Sequence, residues 1–370
     1  MTADPKLPGE DLRVLPDGER PAVADAFTPV PTSWVGPLRL TGDVTGEQEV
    51  PLATYETPLW PSVGRGARVS RLVPDGIRVT VVDERMTRSS LFVAETAAQA
   101  VRAARAIDAR TDELAAVVSA RSRHARLIDL DTEIVGNLLF VRFALTTGDA
   151  SGHNMVTLAA ESLMATILAW HPELEYGSIS GNYCSDKKAT AVNGILGRGR
   201  NVIAEILVPA EIVAAQLRSS AARIVELNTR KNLVGSTIAG ALRSANAHYA
   251  NMLLAFYLAT GQDAANIVEG SQGITYAEVR DDGDLYFSCT LPNLIVGTVG
   301  NGKDLPGIEA ALERLGCREE REPGGNARRL AALIAATVLC GELSLLSAQT
   351  NPGELMASHL ILERRTEAAR

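Results

Sequence analysis

Between Arg88 and Ser180 the sequence leaves few folds open. Ser90-Leu-Phe-Val-Ala94 reads as a strand, and Thr96 to about Ala120 is alanine-rich with apolar residues three and four apart, which predicts a helix. Leu127 to Ile134 and Leu138 to Leu145 alternate on either side of Val135-Gly136-Asn137, the pattern of a hairpin. Asn154 to Trp170 predicts a second amphipathic helix and Glu175 to Ile179 a last strand. The order βαββαβ is that of a ferredoxin-like split unit. The expected fold class is therefore α+β: a large mixed α/β domain from residues 30–89 and 180–370, with a small domain of residues 90–179 inserted into it. In the large domain the sequence predicts a strand at Asn201 to Val208 and a helical stretch from Pro209 to Val225. Further helices are expected at Ala241 to Ala259 and Asn326 to Ala348. Residues 1–29 carry five prolines among acidic and small residues, too little apolar surface to order themselves, and read as a flexible tail.

Charge and cysteine usage narrow the function classes. The net charge of −8 argues against nucleic acid or an anionic membrane as the main partner, though a local basic loop can still hold an anionic ligand. Cys184, Cys289, Cys317 and Cys340 are scattered, with no Cys-x-x-Cys and no dense His/Cys cluster, so neither a disulfide framework nor a structural metal is expected. The longest apolar run, Leu330 to Cys340, falls short of the ~20 residues of a membrane helix. Met1-Thr-Ala-Asp-Pro5 has no basic region leading into an apolar stretch, so no export signal is read. A cytoplasmic protein is the expectation.

Three segments carry chemistry. Ser180-Gly-Asn-Tyr-Cys-Ser-Asp-Lys-Lys188 sets two lysines directly after an aspartate, among small polar residues. Adjacent ammonium groups repel, and a neighbouring carboxylate offsets that charge and can aim one of them, which suits a site that holds a carboxylate and polarises a carbonyl. A solvated turn is the competing reading. Asp149-Ala-Ser-Gly-His-Asn-Met155 joins a strand to a helix, where free N–H groups and Gly152 favour phosphate oxygens; a simply capped helix start is the alternative. Gly297-Thr-Val-Gly-Asn-Gly302 is a second glycine-rich turn, whose spacing fits neither a dinucleotide fingerprint nor a Walker loop.

Taken with Val50-Pro-Leu-Ala-Thr-Tyr-Glu56, Met86-Thr-Arg88, Lys231-Asn-Leu-Val-Gly235, Asn246-Ala-His248, Gly261-Gln-Asp263 and Ser358-His359, these segments appear in the order found in 3-hydroxy-3-methylglutaryl-CoA (HMG-CoA) reductases. The chain resembles that family from about Val30 to Arg364, and blocks such as Trp60-Pro-Ser-Val-Gly-Arg-Gly66 look like its actinobacterial branch. The resemblance implies reductive deacylation of HMG-CoA to mevalonate and CoA with two NADPH and no metal. It implies Glu56, Lys187, Asp263 and His359 as catalytic residues. Arg88, Ser180, Asp186, Lys188, Lys231 and Asn251 would hold the glutaryl end or the lysine, and His248 is read as structural. Asp149, Ser151, Gly152, Asn154, Gly300 and Gly302 would line the cofactor site. Ser122-Arg123 aligns with a pair near the adenosine ribose phosphate; an arginine suits a 2′-phosphate, and so NADPH rather than NADH is expected. Glu56 would act as a proton donor, which requires a pKa raised by burial or a neighbouring anion, and Asp263 is the candidate anion. The family also implies a homodimer or higher oligomer with its site at the subunit interface, and a C-terminal lid carrying His359.

Departures are also legible. Arg71-Leu-Val-Pro-Asp-Gly-Ile77 replaces a run of three glycines, and the Glu-Asn-Val-Ile-Gly segment that helps hold CoA in many relatives is missing. Glu363-Arg364-Arg365 stands where animal enzymes carry a regulatory serine, so neither that control nor a membrane anchor is expected. The rival readings are an NAD-dependent mevalonate oxidation on the same fold, a non-catalytic acyl-CoA-binding protein, and a Schiff-base enzyme centred on Lys187.

Overall fold

The computed structural model describes residues 28–357 and residue 360. Strands β1 (Thr32–Gly42) and β2 (Gly46–Ala53) form a hairpin that leads into α1 (Leu59–Leu72). Strand β3 (Ile77–Val93) is followed by α2 (Ala97–Asp108), α3 (Thr111–Arg121), the hairpin β4 (Arg126–Val135) and β5 (Leu138–Thr146), α4 (His153–Trp170) and β6 (Glu175–Ser178). Next come α5 (Ala191–Leu196), β7 (Gly199–Val208), α6 (Ala210–Leu217), α7 (Ala221–Leu227), a π-helical turn over Asn228–Gly235, α8 (Ser236–Ile238), β8 (Ser244–Ala245) and α9 (Tyr249–Ala259). The elements α10 (Ile267–Gly270), β9 (Gly273–Val279), β10 (Leu285–Leu294), α11 (Pro306–Arg314) and α12 (Gly325–Gln349) follow.

Strand β3 organises the molecule. Its first half, Arg78 to Arg85, pairs antiparallel with β7, and Ile77 to Val79 lie parallel to β1. Its second half, Met86 to Val93, pairs with β5, and Leu91 to Val93 also pair with β6. The larger sheet thus runs β2-β1-β3-β7-β10-β9-β8, while β4, β5 and β6 gather on the distal half of β3. The buried apolar side chains fall into two matching clusters. One joins the larger sheet to α1, α9 and α12; the other packs Leu139, Val141, Phe143 and Leu145 of β5 against α2, α3 and α4.

Helix α12 is apolar on all sides, as a helix sunk in a core must be. It is the one helix among the described residues long and apolar enough to cross a membrane, yet 94% of its most apolar 18-residue window is buried inside the protein. It spans Gly325–Gln349 against an expected Asn326 to Ala348, and Leu343, Leu346 and Ala348 carry the buried face past the end of the apolar run at Cys340. Its small residues admit a close neighbour. A Cβ placed on Gly66 of α1 would overlap the backbone of Cys340, so glycine is required where the two helices cross.

Three expected helices differ. The stretch from Thr96 to Ala120 is two helices, because Arg110 leaves helical dihedrals and lays its guanidinium over the Trp170 ring, 3.4 Å from its centroid. The stretch from Pro209 to Val225 breaks at Arg218, which is left-handed (φ 53°), before Ser220 caps α7. Residues 241–248 are not helical: Asn246 donates to the carbonyls of Ser271 and Gly273, and Ser244–Ala245 joins β9 as a parallel strand. The expected tail falls almost wholly outside the described residues.

Candidate active site

The lysine loop, which follows β6, is held in a conformation that few side chains adopt. Asn182, Ser185 and Lys187 all have positive φ (60°, 48° and 55°), a strain that persists only where the surroundings over-determine it. Two buried groups do so. Glu269, fully buried, accepts the Lys187 backbone N–H at 3.1 Å and the Asn266 amide at 2.9 Å. Arg198, 1% exposed, donates to Thr87 and forms a 2.8 Å ion pair with Asp186. Burial would raise the Asp186 carboxyl, but His153 and Arg198 outweigh it and hold this acid well below the usual carboxylate range. Asp186 is therefore the anchor of the loop.

With the backbone fixed, the Lys187 ammonium meets Asp263 at 2.8 Å. The hydrogen bond to Asp263 raises the lysine pKa against a smaller opposing effect of burial. Burial pushes Asp263 up, but Lys187 and the Ala265 N–H bring it below its ordinary value. The site thus presents a fixed cation and its counter-ion, both partly open to solvent. Around them Lys188 donates to the Asp186 carbonyl (3.2 Å), and Arg88 reaches Ser180 (3.4 Å) while bonding Thr157 at 2.6 Å. Five of the sequence-selected residues thereby cluster about Lys187.

Because an ionised Asp186 stabilises the fold, its contribution is present above the unfolded aspartate pKa of about 4 and is lost as pH falls through the lower folded value. Asp186→Asn is accordingly expected to lower stability by about 2 kcal/mol near pH 7. The variant's stability should also fall less steeply than wild type below about pH 4. Urea midpoints across that range check both.

Glu56 is placed elsewhere. It is exposed, and it lines a cavity of about 530 Å³ with His248, Asn251, Arg65, Ser344 and Leu355, where the starts of α1 and α9 face the end of α12. Among the described residues no hydrogen bond or ion pair joins Glu56 to Lys187 or Asp263. Neither Lys187 nor Asp263 lines the cavity that holds Glu56. Lys231 sits in the π-helical turn, and burial lowers its pKa against the opposing charge of Glu342. Fully buried Glu342 also accepts the N–H groups of Ala247 and His248. His248, read as structural, does bond the Gly341 carbonyl (3.0 Å), yet its ring also borders the cavity beside Asn251.

The two glycine-rich segments meet. Thr298 N–H donates to the Asp149 carbonyl at 2.8 Å, Ala150 bridges Val299, and a Cβ on Gly297 would overlap the Ser151 amide. Gly152 (φ 94°) opens α4 without a side-chain cap, leaving first-turn N–H groups for an anion. Asn154 is exposed there, and Gly300 (φ 105°) has open space above it. The Asp149 carboxylate accepts the Gly324 and Ala327 N–H groups (3.2 and 2.9 Å) and so ties this loop to the start of α12. Ser122 folds its own turn by accepting from His124 and Ala125, and with Arg121 it lines a cavity of about 360 Å³ between α3 and α4. Arg121, not Arg123, borders that space. These features fit a phosphorylated nucleotide laid from the start of α4 toward Ser122.

Sequence reasoning missed Arg198, Glu269 and His153. Arg198 carried a faint signal, a cation between two glycines immediately before an apolar strand; Glu269 carried none. His359 lies outside the described residues.

The family model described as "Hydroxymethylglutaryl-coenzyme A reductase" matches residues 26–364. The chain is 46% identical over 322 residues to the 3-hydroxy-3-methylglutaryl-coenzyme A reductase of Pyrococcus horikoshii, covering 86% of this chain and 78% of that protein. It is 43% identical over 338 residues to the Aeropyrum pernix enzyme of the same name, covering 90% and 79%. A solved class II 3-hydroxy-3-methylglutaryl-CoA reductase from Streptococcus pneumoniae, bound to NADPH in open conformations, superposes with a TM-score of 0.70 at 20% identity. That match covers 88% of this chain and 86% of the other, and shows that the fold is shared.

Proposed function

Because the chain belongs to the hydroxymethylglutaryl-coenzyme A reductase family, we propose that it reduces HMG-CoA to mevalonate and free CoA at the expense of two NADPH. The observation that carries the reading is the Lys187–Asp263 pair on a loop whose strained backbone is fixed by Glu269 and Arg198. A preorganised ammonium of this kind stabilises the oxyanion that develops on a carbonyl.

The bound nicotinamide supplies hydride, once to the thioester and once to the aldehyde. Lys187 donates to the carbonyl oxygen in the first reduction. His359 protonates the CoA sulfur as the hemithioacetal C–S bond breaks, and Glu56 donates to the aldehyde oxygen in the second. Arg88 and Ser180 hold the carboxylate end of the substrate, with Lys231 and Asn251 nearer the cavity of Glu56. The start of α4, Gly300 and the Ser122 turn receive the cofactor, so the β3–β6 cluster serves as the inserted cofactor domain.

The exposure of Glu56 and its separation from Lys187 support a site shared between subunits, in which a second chain brings its own Glu56 to this Lys187. We place the protein in the cytoplasm: its four cysteines are free and buried, which suits a reducing compartment, and α12 lies within the core.

Absorbance at the nicotinamide band tests the reading. With HMG-CoA the chain should oxidise NADPH, two equivalents per thioester, and prefer it over NADH by about tenfold or more, the worth of one charge-assisted contact to the 2′-phosphate. A strong NADH preference would overturn the cofactor choice in favour of mevalonate oxidation. Tight HMG-CoA binding without NADPH oxidation would leave an acyl-CoA-binding protein.

A further inference from the structure

His153 stands where the two halves of the site touch, and the chemistry above gives it no task. It opens α4 directly after Gly152, and its Nε2 lies 3.6 Å from Asp186 Oδ1. That nitrogen is buried and forms no other hydrogen bond. Its backbone carbonyl accepts from Thr157 Oγ1 at 2.8 Å, and the same hydroxyl accepts from Arg88, which reaches Ser180. One residue therefore links the cofactor loop, the lysine loop and strand β3.

The charges facing it come from every neighbouring element. The lysine loop presents Asp186 and, next in chain, Lys187; the segment before β7 presents Arg198; the turn after α9 presents Asp263, whose carboxylate feels His153; β3 presents Arg88 through Thr157. The first turn of α4 contributes no acidic residue, only the positive end of the helix. An imidazolium there shares Asp186 with Arg198 and ties α4 to the loop, whereas a neutral imidazole leaves the loop to Arg198 alone.

We infer that His153 is a positioning residue whose imidazolium, paired with Asp186, clamps the start of α4 against the lysine loop and so sets the distance between a bound nicotinamide and Lys187. The inference rests on the reading of α4 as the cofactor site. Small errors in that distance are costly, about 10²-fold for 1 Å.

The experiment has two arms on the full chain. In the first, without substrate, the Asp186 carboxylate is titrated by carbon NMR, assigned with Asp186→Asn. In His153→Gln its midpoint should move up toward the ordinary carboxylate range; an unmoved midpoint overturns the pairing. In the second, reduction of mevaldehyde by NADPH, a step from which no thiolate departs, is followed at about pH 7. His153→Gln should lower kcat about tenfold while the KM for NADPH stays within a few-fold of wild type. An unchanged kcat, or a loss carried by KM alone, overturns the inference, since a residue that only shapes the cofactor site would change binding and not the reacting distance. If the chain reduces no mevaldehyde, the cofactor reading fails while the first arm still decides the pairing. His153→Asn replaces the glutamine variant if that one does not fold.

Discussion

Lys187→Met is expected to lower turnover by about 10²–10³-fold, the usual cost of removing one preorganised oxyanion donor. Methionine keeps the unbranched stem and removes the terminal ammonium with its charge and donors. The fold should tolerate this, because the Lys187–Asp263 pair is partly solvated and exposed pairs contribute about 0–1 kcal/mol. The backbone constraint also survives, since Glu269 grips the Lys187 amide and not its ammonium. Turnover and stability therefore separate: NADPH oxidation should collapse while the urea midpoint barely shifts. Lys187→Arg should not rescue, because a planar guanidinium cannot replace a point charge at 2.8 Å from Asp263. Turnover within a few-fold of wild type would remove Lys187 from the reaction.

Mixing Glu56→Gln protein with Lys187→Ala protein should restore activity that neither variant has alone. In a two-fold dimer whose sites are shared, each hybrid has one site with both substitutions and one with neither. Random pairing makes half the dimers hybrid, so recovery should reach about a quarter of wild type. Glu56 is exposed, and its backbone bonds are local, its N–H to Thr54 Oγ1 and its carbonyl from the Leu59 N–H. A proton donor to an aldehyde needs desolvation that this chain alone does not give it. Absence of recovery, with hybrids verified by mass, would assign both residues to one chain.

What the sequence made legible was whatever repeats with a period or concentrates charge. The β4–β5 hairpin, α4, β7 and α12 appear within a few residues of their expected bounds because alternation and helical spacing report burial directly. The breaks at Arg110 and Arg218 and the strand at Ser244 did not, because each depends on a distant partner such as Trp170 or the carbonyl of Gly273. The same division runs through the site. Asp-Lys-Lys announced itself by composition, but its supports, Arg198 and Glu269, are single residues that only the fold carries to it. Asp149 shows the same division: an aspartate between a glycine and an alanine reads as part of a ligand loop, and only the fold brings it to the start of α12, where it accepts the Gly324 and Ala327 N–H groups.

Strand β3 constrains how this catalyst can move. Arg85 pairs with Gly199 in one sheet, and Met86, the next residue, pairs with Leu145 in the other. The layers cannot slide past each other without stripping a ladder from a strand they own in common, nor slip by one residue without turning every side chain over. A pivot about the peptide between Arg85 and Met86 keeps both ladders, and it works against the bonds that Asp149 makes to Thr298 and Ala327 across the gap. Exchange of spent nicotinamide between the two reductions would then proceed by rotation that widens the gap at α4 while the register of each sheet stays as built.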